Sequence, residues 1–247
     1  MSRENMGVGK SLEKFYNRAR EEKHIEILAV LEAVTNYPCL NAPRIAEKVE
    51  GKEGTVRWYL KKLVEKRLVE GRRLGGKIVY YTRGLVLPED VEDLVMLQHS
   101  QVHILLMKIA NNPGASKKGL LGELPMEHPS QAYVYIQHLE ALVDKGFVRV
   151  LRDRKMNYYY LGDKLFLLYR KYEEREGKIY NGFVRTLNTV LPEIEPRATA
   201  RLKERNLKEN WLGVIVSLSP APGVLAEYKL RLNPLWVYQE FIQPGQS

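Results

Sequence analysis

One supersecondary unit occurs twice in this 247-residue chain. The pattern of residue types in residues 60–81 recurs 79 positions later. Nine positions hold the same or a similar residue in both copies, of which eight pairs are identical and the ninth is Glu65 over Asp144. The nine positions are Leu60, Leu63, Val64, Glu65, Lys66, Val69, Arg73, Tyr80 and Tyr81, over Leu139, Leu142, Val143, Asp144, Lys145, Val148, Arg152, Tyr159 and Tyr160. Two copies are too few for a solenoid, so the repeat predicts a duplicated unit.

The first copy predicts three helices and a β-hairpin. Apolar residues at helical spacing predict a helix over Glu22–Asn36, which Tyr37-Pro38 ends. Asn41 is the expected N-cap of a short helix that ends near Val49. A third helix follows over Glu53–Lys66, with Val56, Tyr59, Leu60, Leu63 and Val64 on its buried face. Two β-prone runs, Leu68–Arg73 and Lys77–Thr82, flank a Gly-Gly turn and predict a hairpin.

The second copy predicts the same order of elements. Helices are expected over Asp90–Asn111, Ser116–Leu124 and Pro129–Lys145, followed by a hairpin over Phe147–Leu161. The remaining residues do not repeat. They predict helices over Asp163–Glu176, Lys178–Leu191 and Arg197–Asn210, and strands over Trp211–Leu218 and Val224–Leu232.

These elements predict a mainly α protein with small β-hairpins, of the α+β class. Three helices followed by a hairpin form the winged helix-turn-helix arrangement, so the chain is expected to hold two of them in tandem and a C-terminal α+β element. The predicted domains are residues 1–84, with a basic DNA-binding winged helix, residues 85–163, and residues 164–247 for interaction or dimerisation.

The stretch from Thr55 to Glu70 resembles the recognition helix and first wing strand of ArsR/MarR-like transcriptional regulators of archaeal type. The resemblance covers residues 22–84 and again 100–162. It implies binding to an operator or promoter. Repression or activation would then follow from competing with, or recruiting, the basal transcription machinery.

The distribution of charge favours a polyanionic partner. The net charge is +9, and residues 1–84 carry 18 Lys and Arg against 11 Asp and Glu. The third helix places its cations away from its apolar face, where they could contact phosphates and bases in the major groove. The predicted contacts to double-stranded DNA are Lys52, Thr55, Arg57, Trp58, Lys61, Lys62, Arg72, Arg73, Lys77, Arg152, Arg154 and Lys155.

The third helix of the second copy has no cation on its outer face, which carries Tyr133, Val134, Gln137, Glu140 and Ala141. We therefore expect the second copy to contact protein, with DNA contacts limited to its wing. The outward position of Trp58 has a second interpretation, in which this residue marks a surface that binds another protein. Two chains would pair through residues 164–247, or the two copies in one chain would mimic half of a symmetric dimer.

No motif predicts catalysis, a metal or a cofactor, so the chain is not expected to be an enzyme. The single Cys39 excludes an intrachain disulfide and the paired cysteines of metal-sensing ArsR proteins. Gly71–Lys77 imitates a phosphate loop, but Ile78 stands where Ser or Thr is needed. His99 and His103 are four residues apart without a third ligand, which favours an interface or exposed pair.

No apolar run is long enough to span a membrane, and we expect a soluble cytoplasmic protein. The predicted function is that of a sequence-specific double-stranded DNA-binding protein and transcriptional regulator. It would read the major groove of DNA with the helix Glu53–Lys66 and contact the DNA backbone with the wing at residues 71–77. Two alternatives stay open: a replication or maintenance protein of a mobile element, and a winged-helix protein scaffold that does not bind DNA.

Overall fold

The computed structural model of the protein describes residues 27–122, 124–125, 128, 130–194, 198–206, 211–218, 224–231 and 233–242. Contacts divide the chain into two compact units. Unit 1 lies within Met1–Val86 and Ile179–Leu232, and unit 2 within Leu87–Lys178 and Asn233–Ser247. The predicted C-terminal segment, residues 164–247, is thus divided between both units.

Unit 1 begins with helix α1 across residues 27–36, and the predicted start at Glu22 lies outside the described residues. The elements that follow are β1 (Leu40–Asn41), α2 (Ala42–Lys48), α3 (Glu53–Glu65), β2 (Val69–Leu74) and β3 (Lys77–Thr82). The Asn41 side chain accepts a hydrogen bond from the Arg44 amide at 3.3 Å, as expected of an N-cap. The three strands form an antiparallel sheet in the order β1-β3-β2.

Unit 2 repeats this order after a split helix. Its elements are α4 (Val91–Leu97), α5 (Ser100–Asn111), β4 (Ala115–Ser116), α6 (Lys117–Gly122), α7 (Ser130–Asp144), β5 (Val148–Asp153), β6 (Met156–Leu161) and α8 (Asp163–Glu173). The sheet order is β4-β6-β5. The prediction of one helix over Asp90–Asn111 is wrong, because His99 adopts an extended backbone (φ −71°, ψ 129°) and separates α4 from α5. A short 3-10 turn, Pro88–Asp90, precedes α4.

The rest of unit 1 comes from far along the sequence. Helix α9 (Glu176–Ile194) is followed by β7 (Ala198–Asn206), β8 (Trp211–Leu218) and β9 (Val224–Arg231), which form an antiparallel sheet in that order. The prediction of a charged helix over Arg197–Asn210 is wrong, because β7 pairs with β8 from Ala198 to Asn206. Phe183 and Leu187 of α9 and Val214 of β8 belong to the same apolar core as α1, α2 and α3.

The last described segment belongs to unit 2. A 3-10 turn, Trp236–Tyr238, leads into helix α10 (Gln239–Ile242). The Tyr238 hydroxyl donates a hydrogen bond to the Leu97 carbonyl at 2.9 Å, and the Asn233 amide group donates one to the Tyr169 carbonyl at 3.2 Å. These buried bonds attach the segment to α4 and α8.

The two copies match closely in backbone as well as in sequence. Strands β2 and β3 correspond to β5 and β6 at a shift of 79 residues, whereas β1 and α2 correspond to β4 and α6 at a shift of 75. The stretch from the second helix to the end of the third helix is therefore four residues longer in the second copy. Cys39 and Gly114 both have positive φ (68° and 83°), and their amides donate to the carbonyls of Tyr80 and Tyr159 at 2.8 Å.

The fold is mixed α and β with small antiparallel sheets, which agrees with the α+β class at the coarse level. Among the helices of the described ranges, none combines the length and the apolar character needed to cross a membrane.

Candidate interaction surfaces

The outer face of α3 carries most of the predicted contacts of unit 1. Val56, Tyr59, Leu60 and Leu63 are buried, while Lys52, Thr55, Arg57, Trp58 and Lys61 are exposed and Lys62 is half-buried. Trp58 is 53% exposed. The prediction that Val64 lies on the buried face is wrong, because 38% of its surface is exposed.

Carboxylates on the same helix offset two of the α3 cations. The Arg57 guanidinium lies 2.6 Å from Glu53 Oε1, and Lys62 Nζ lies 3.3 Å from Glu65 Oε2. Helix α3 holds three cations and two carboxylates, for a net charge of +1. Two of the three cations of α3 therefore lie beside a carboxylate of the same helix.

The hairpin of unit 1 separates its predicted cations. Strand pairing places Arg72 opposite Val79 and Lys77 opposite Leu74, on one face of the sheet. Arg73 pairs with Ile78 and lies on the other face. The three cations therefore do not form one surface.

The corresponding surface of unit 2 is apolar. Tyr133 at the start of α7 is 64% exposed and Val134 is 38% exposed. In the hairpin, Leu151 (49%) and Met156 (50%) are also exposed, and their counterparts 79 residues earlier are Arg72 and Lys77. Neither apolar residue is among the predicted contacts, although the 79-residue repeat aligns each of them with a cation of the first copy.

We call the face of this hairpin that carries Leu151 and Met156 the open hairpin face; its members are Arg149, Leu151, Asp153, Met156, Tyr158 and Tyr160. They share a face because the cross-strand pairs are Arg149 with Tyr160, Leu151 with Tyr158 and Asp153 with Met156. Tyr158 and Tyr160 are half-buried, whereas their counterparts Val79 and Tyr81 in unit 1 are buried. The same face is therefore more open to solvent in unit 2.

The predicted wing cations of unit 2 lie beside this face and not on it. Arg152 pairs with Asn157 on the opposite side of the hairpin. Arg154 and Lys155 form the two-residue turn and are exposed. Each of the twelve predicted DNA contacts stays a prediction.

Three histidines, His99, His103 and His138, make ring contacts within unit 2. The rings of His99 and His138 are 5.4 Å apart, and the His103 ring lies 5.3 Å from that of Tyr238. Burial lowers the pKa of His103, and burial with the nearby His99 lowers the pKa of His138. Within the described ranges, no group of three or more His, Cys, Asp or Glu side chains is placed to hold a metal ion.

Comparison with known proteins yields no matching family model and no matching curated protein. Among solved structures, the chain is similar to the crystal structure of human N-acetylserotonin methyltransferase in complex with SAM. The TM-score is 0.23 with 13% sequence identity, and the similarity covers 56% of this chain and 48% of the methyltransferase chain. The chain thus spans about half the length of that protein. At this TM-score the likeness assigns no activity.

The solved structure found is that of a methyltransferase and not of a DNA-binding transcriptional regulator, so the comparison gives the predicted sequence-specific DNA-binding regulator no support. The mobile-element alternative depends on the same interface and gains no support from the comparison either. Double-stranded DNA and the basal transcription machinery as partners, and the absence of enzymatic activity, stay predictions.

Proposed function

We propose that this chain is a protein-interaction module, in which unit 2 binds a polypeptide partner through the open hairpin face. The observation that carries the proposal is the replacement of Arg72 and Lys77 by Leu151 and Met156 at equivalent positions, with both apolar side chains about half exposed. Exposed apolar residues that cluster on one face mark sites of association.

Three features support a protein partner for unit 2. The cross-strand pairs place Leu151, Met156, Tyr158 and Tyr160 on a single face, so their apolar surface is continuous. Aromatic residues and Met are enriched at protein interfaces, where they bury large apolar areas. The outer face of α7 adds Tyr133 and Val134 and carries no cation that would neutralise phosphates.

The finer description of the fold belongs to the same proposal. We infer that each copy is a winged helix, in which α3 and α7 hold the position of the recognition helix and the hairpins form the wings. The order β-α-α-β-β and the sheet orders β1-β3-β2 and β4-β6-β5 support this assignment. In unit 2 the wing, which is the hairpin β5–β6, then contacts the polypeptide partner.

A photo-crosslinking amino acid tests the proposal when it replaces Met156 in cells that produce the full chain. The matched control places the same amino acid at Lys77, the equivalent position of unit 1. We expect one discrete protein adduct from position 156, identified by mass spectrometry, and none from position 77.

Two results would overturn the proposed function. One is the absence of any protein adduct from position 156, or equal adducts from both positions. The other is an adduct with nucleic acid at position 156, which would place a polyanion and not a polypeptide on this face.

A further inference from the structure

We propose that the partner of unit 2 is a second copy of this chain, which joins along the β5 edge of the open hairpin face by antiparallel pairing of β5 with β5 about a twofold axis at Leu151. This inference rests on the proposed function and names the partner at the same site. Pairing through this edge would join two three-stranded sheets into one of six strands.

The backbone of β5 is available for such pairing. In the order β4-β6-β5, no strand of the described residues pairs with the other edge of β5. The Phe147 carbonyl accepts a hydrogen bond from the Gly162 amide across the β5–β6 pair at 2.8 Å. Since backbone groups alternate between the two edges of a strand, those of Val148, Val150 and Arg152 point to the outer edge.

The side chains of β5 are self-complementary about Leu151. A twofold axis at this residue places Leu151 opposite its own copy and Arg149 opposite Asp153 of the second chain. In this register these are non-hydrogen-bonded pairs, in which the side chains of opposed residues are closest. One dimer therefore contains one apolar pair flanked by two pairs of opposite charge, as an isologous interface requires.

The same operation on β2 of unit 1 is unfavourable. Arg72 corresponds to Leu151, so a twofold axis there would bring two guanidinium groups together at the centre. Glu70 would face Leu74 and no charge pair would form. The outer edge of β5 is therefore self-complementary, whereas that of β2 is not.

Sedimentation velocity of the full chain over a concentration series tests the dimer. We expect a concentration-dependent dimer for the natural sequence. Leu151→Arg recreates the arrangement of β2 and should weaken association at least about tenfold. Arg149→Glu and Asp153→Arg each place like charges opposite one another at both ends and should weaken it by a similar factor.

Mixing the two charge variants separates a contact from a folding defect. Arg149→Glu opposite Asp153→Arg restores opposite charge in both pairs, so an equimolar mixture should form a heterodimer although each variant alone does not. Failure of the mixture to associate, or a natural dimer that all three variants leave unchanged, would overturn this interface. A natural chain that stays monomeric while position 156 crosslinks to another protein would overturn this inference and leave the proposed function standing.

Discussion

Arg67 and Gly146 occupy the same position in the two copies, 79 residues apart, and both have left-handed backbone, with φ of 58° and 80°. Each follows the third helix of its copy. The Arg67 amide donates to Val64 and the next amide to Leu63, at 2.9 and 3.0 Å. Gly146 and Phe147 donate in the same pattern to Val143 and Leu142. The two helices thus end in the same motif, but only α7 is followed by glycine, the residue that this motif favours.

Arg67→Gly should therefore stabilise the protein. A side chain in left-handed backbone costs about 1–2 kcal/mol, and the greater freedom of glycine in the unfolded chain offsets part of the gain. We expect a net increase of about 0.5–1 kcal/mol in the free energy of unfolding, measured by urea denaturation. The reciprocal Gly146→Arg should destabilise. If the natural chain, Arg67→Gly and Gly146→Arg had equal free energies of unfolding, a side chain would cost nothing in the backbone conformation at these positions.

Gly162 lies where the backbone leaves no room for a side chain. A Cβ built there would lie 2.2 Å from the Gly146 carbonyl oxygen and 2.9 Å from the Phe147 carbonyl carbon. We expect Gly162→Ala to lower the free energy of unfolding by about 1–3 kcal/mol. Gly54→Ala is the matched control, because a Cβ in α3 meets no atom within 4 Å and should stabilise the helix. A neutral Gly162→Ala in thermal unfolding would contradict the close approach.

Asp93 joins three elements of unit 2. Its carboxylate lies 2.8 Å from Lys145 Nζ, after α7, and 2.5 Å from Lys164 Nζ in α8. Burial raises the pKa of Asp93, but the hydrogen bonds from the two lysines outweigh it and hold the pKa below its usual value. Because the folded pKa is lowered, the stabilisation is present above the unfolded pKa and is lost as the pH falls through the folded pKa.

Asp93→Asn should accordingly cost about 1–2 kcal/mol of unfolding free energy near neutral pH. The difference from the natural chain should shrink as the pH falls below about 4, because the unfolded chain then binds a proton at Asp93 that the folded chain binds only at lower pH. Urea unfolding at several pH values measures this trend. Asp144→Asn is the control, because it makes the same chemical change at an exposed carboxylate, at the end of α7. A pH-independent cost of Asp93→Asn would argue against the ion pairs.

Cys39 should report on the opening of unit 1. The thiol is 3% exposed, and burial raises its pKa to about 12 despite the opposing charge of Arg72. Because only the thiolate reacts, labelling by a disulfide reagent at about pH 8 should be at least about 100-fold slower in the folded chain than in denaturant. Arg67→Gly should slow native labelling further. Rapid labelling without denaturant would show that this part of the fold opens readily.

Local sequence signals predicted the elements whose causes are local. The helical spacing of Val56, Leu60 and Leu63 predicted a helix that the structure places at Glu53–Glu65. The Asn41 cap and the Gly75-Gly76 turn mark element ends, since a side-chain acceptor or a positive φ acts within a few residues. The 79-residue shift placed both hairpins.

Contacts distant in sequence decided the rest. Residues 198–206 are rich in charge and were predicted as a helix, yet they form β7 because β8 supplies partners for their backbone groups. The candidate site depended on such contacts too. Tyr81 and Tyr160 are the same residue type at equivalent positions, but one is buried and the other half-buried. The sequence by itself determined the duplicated order of helices and hairpins, because spacing, caps and turns are short-range properties. Only the tertiary structure decided which hairpin face is covered, because burial depends on which distant segments pack against each copy.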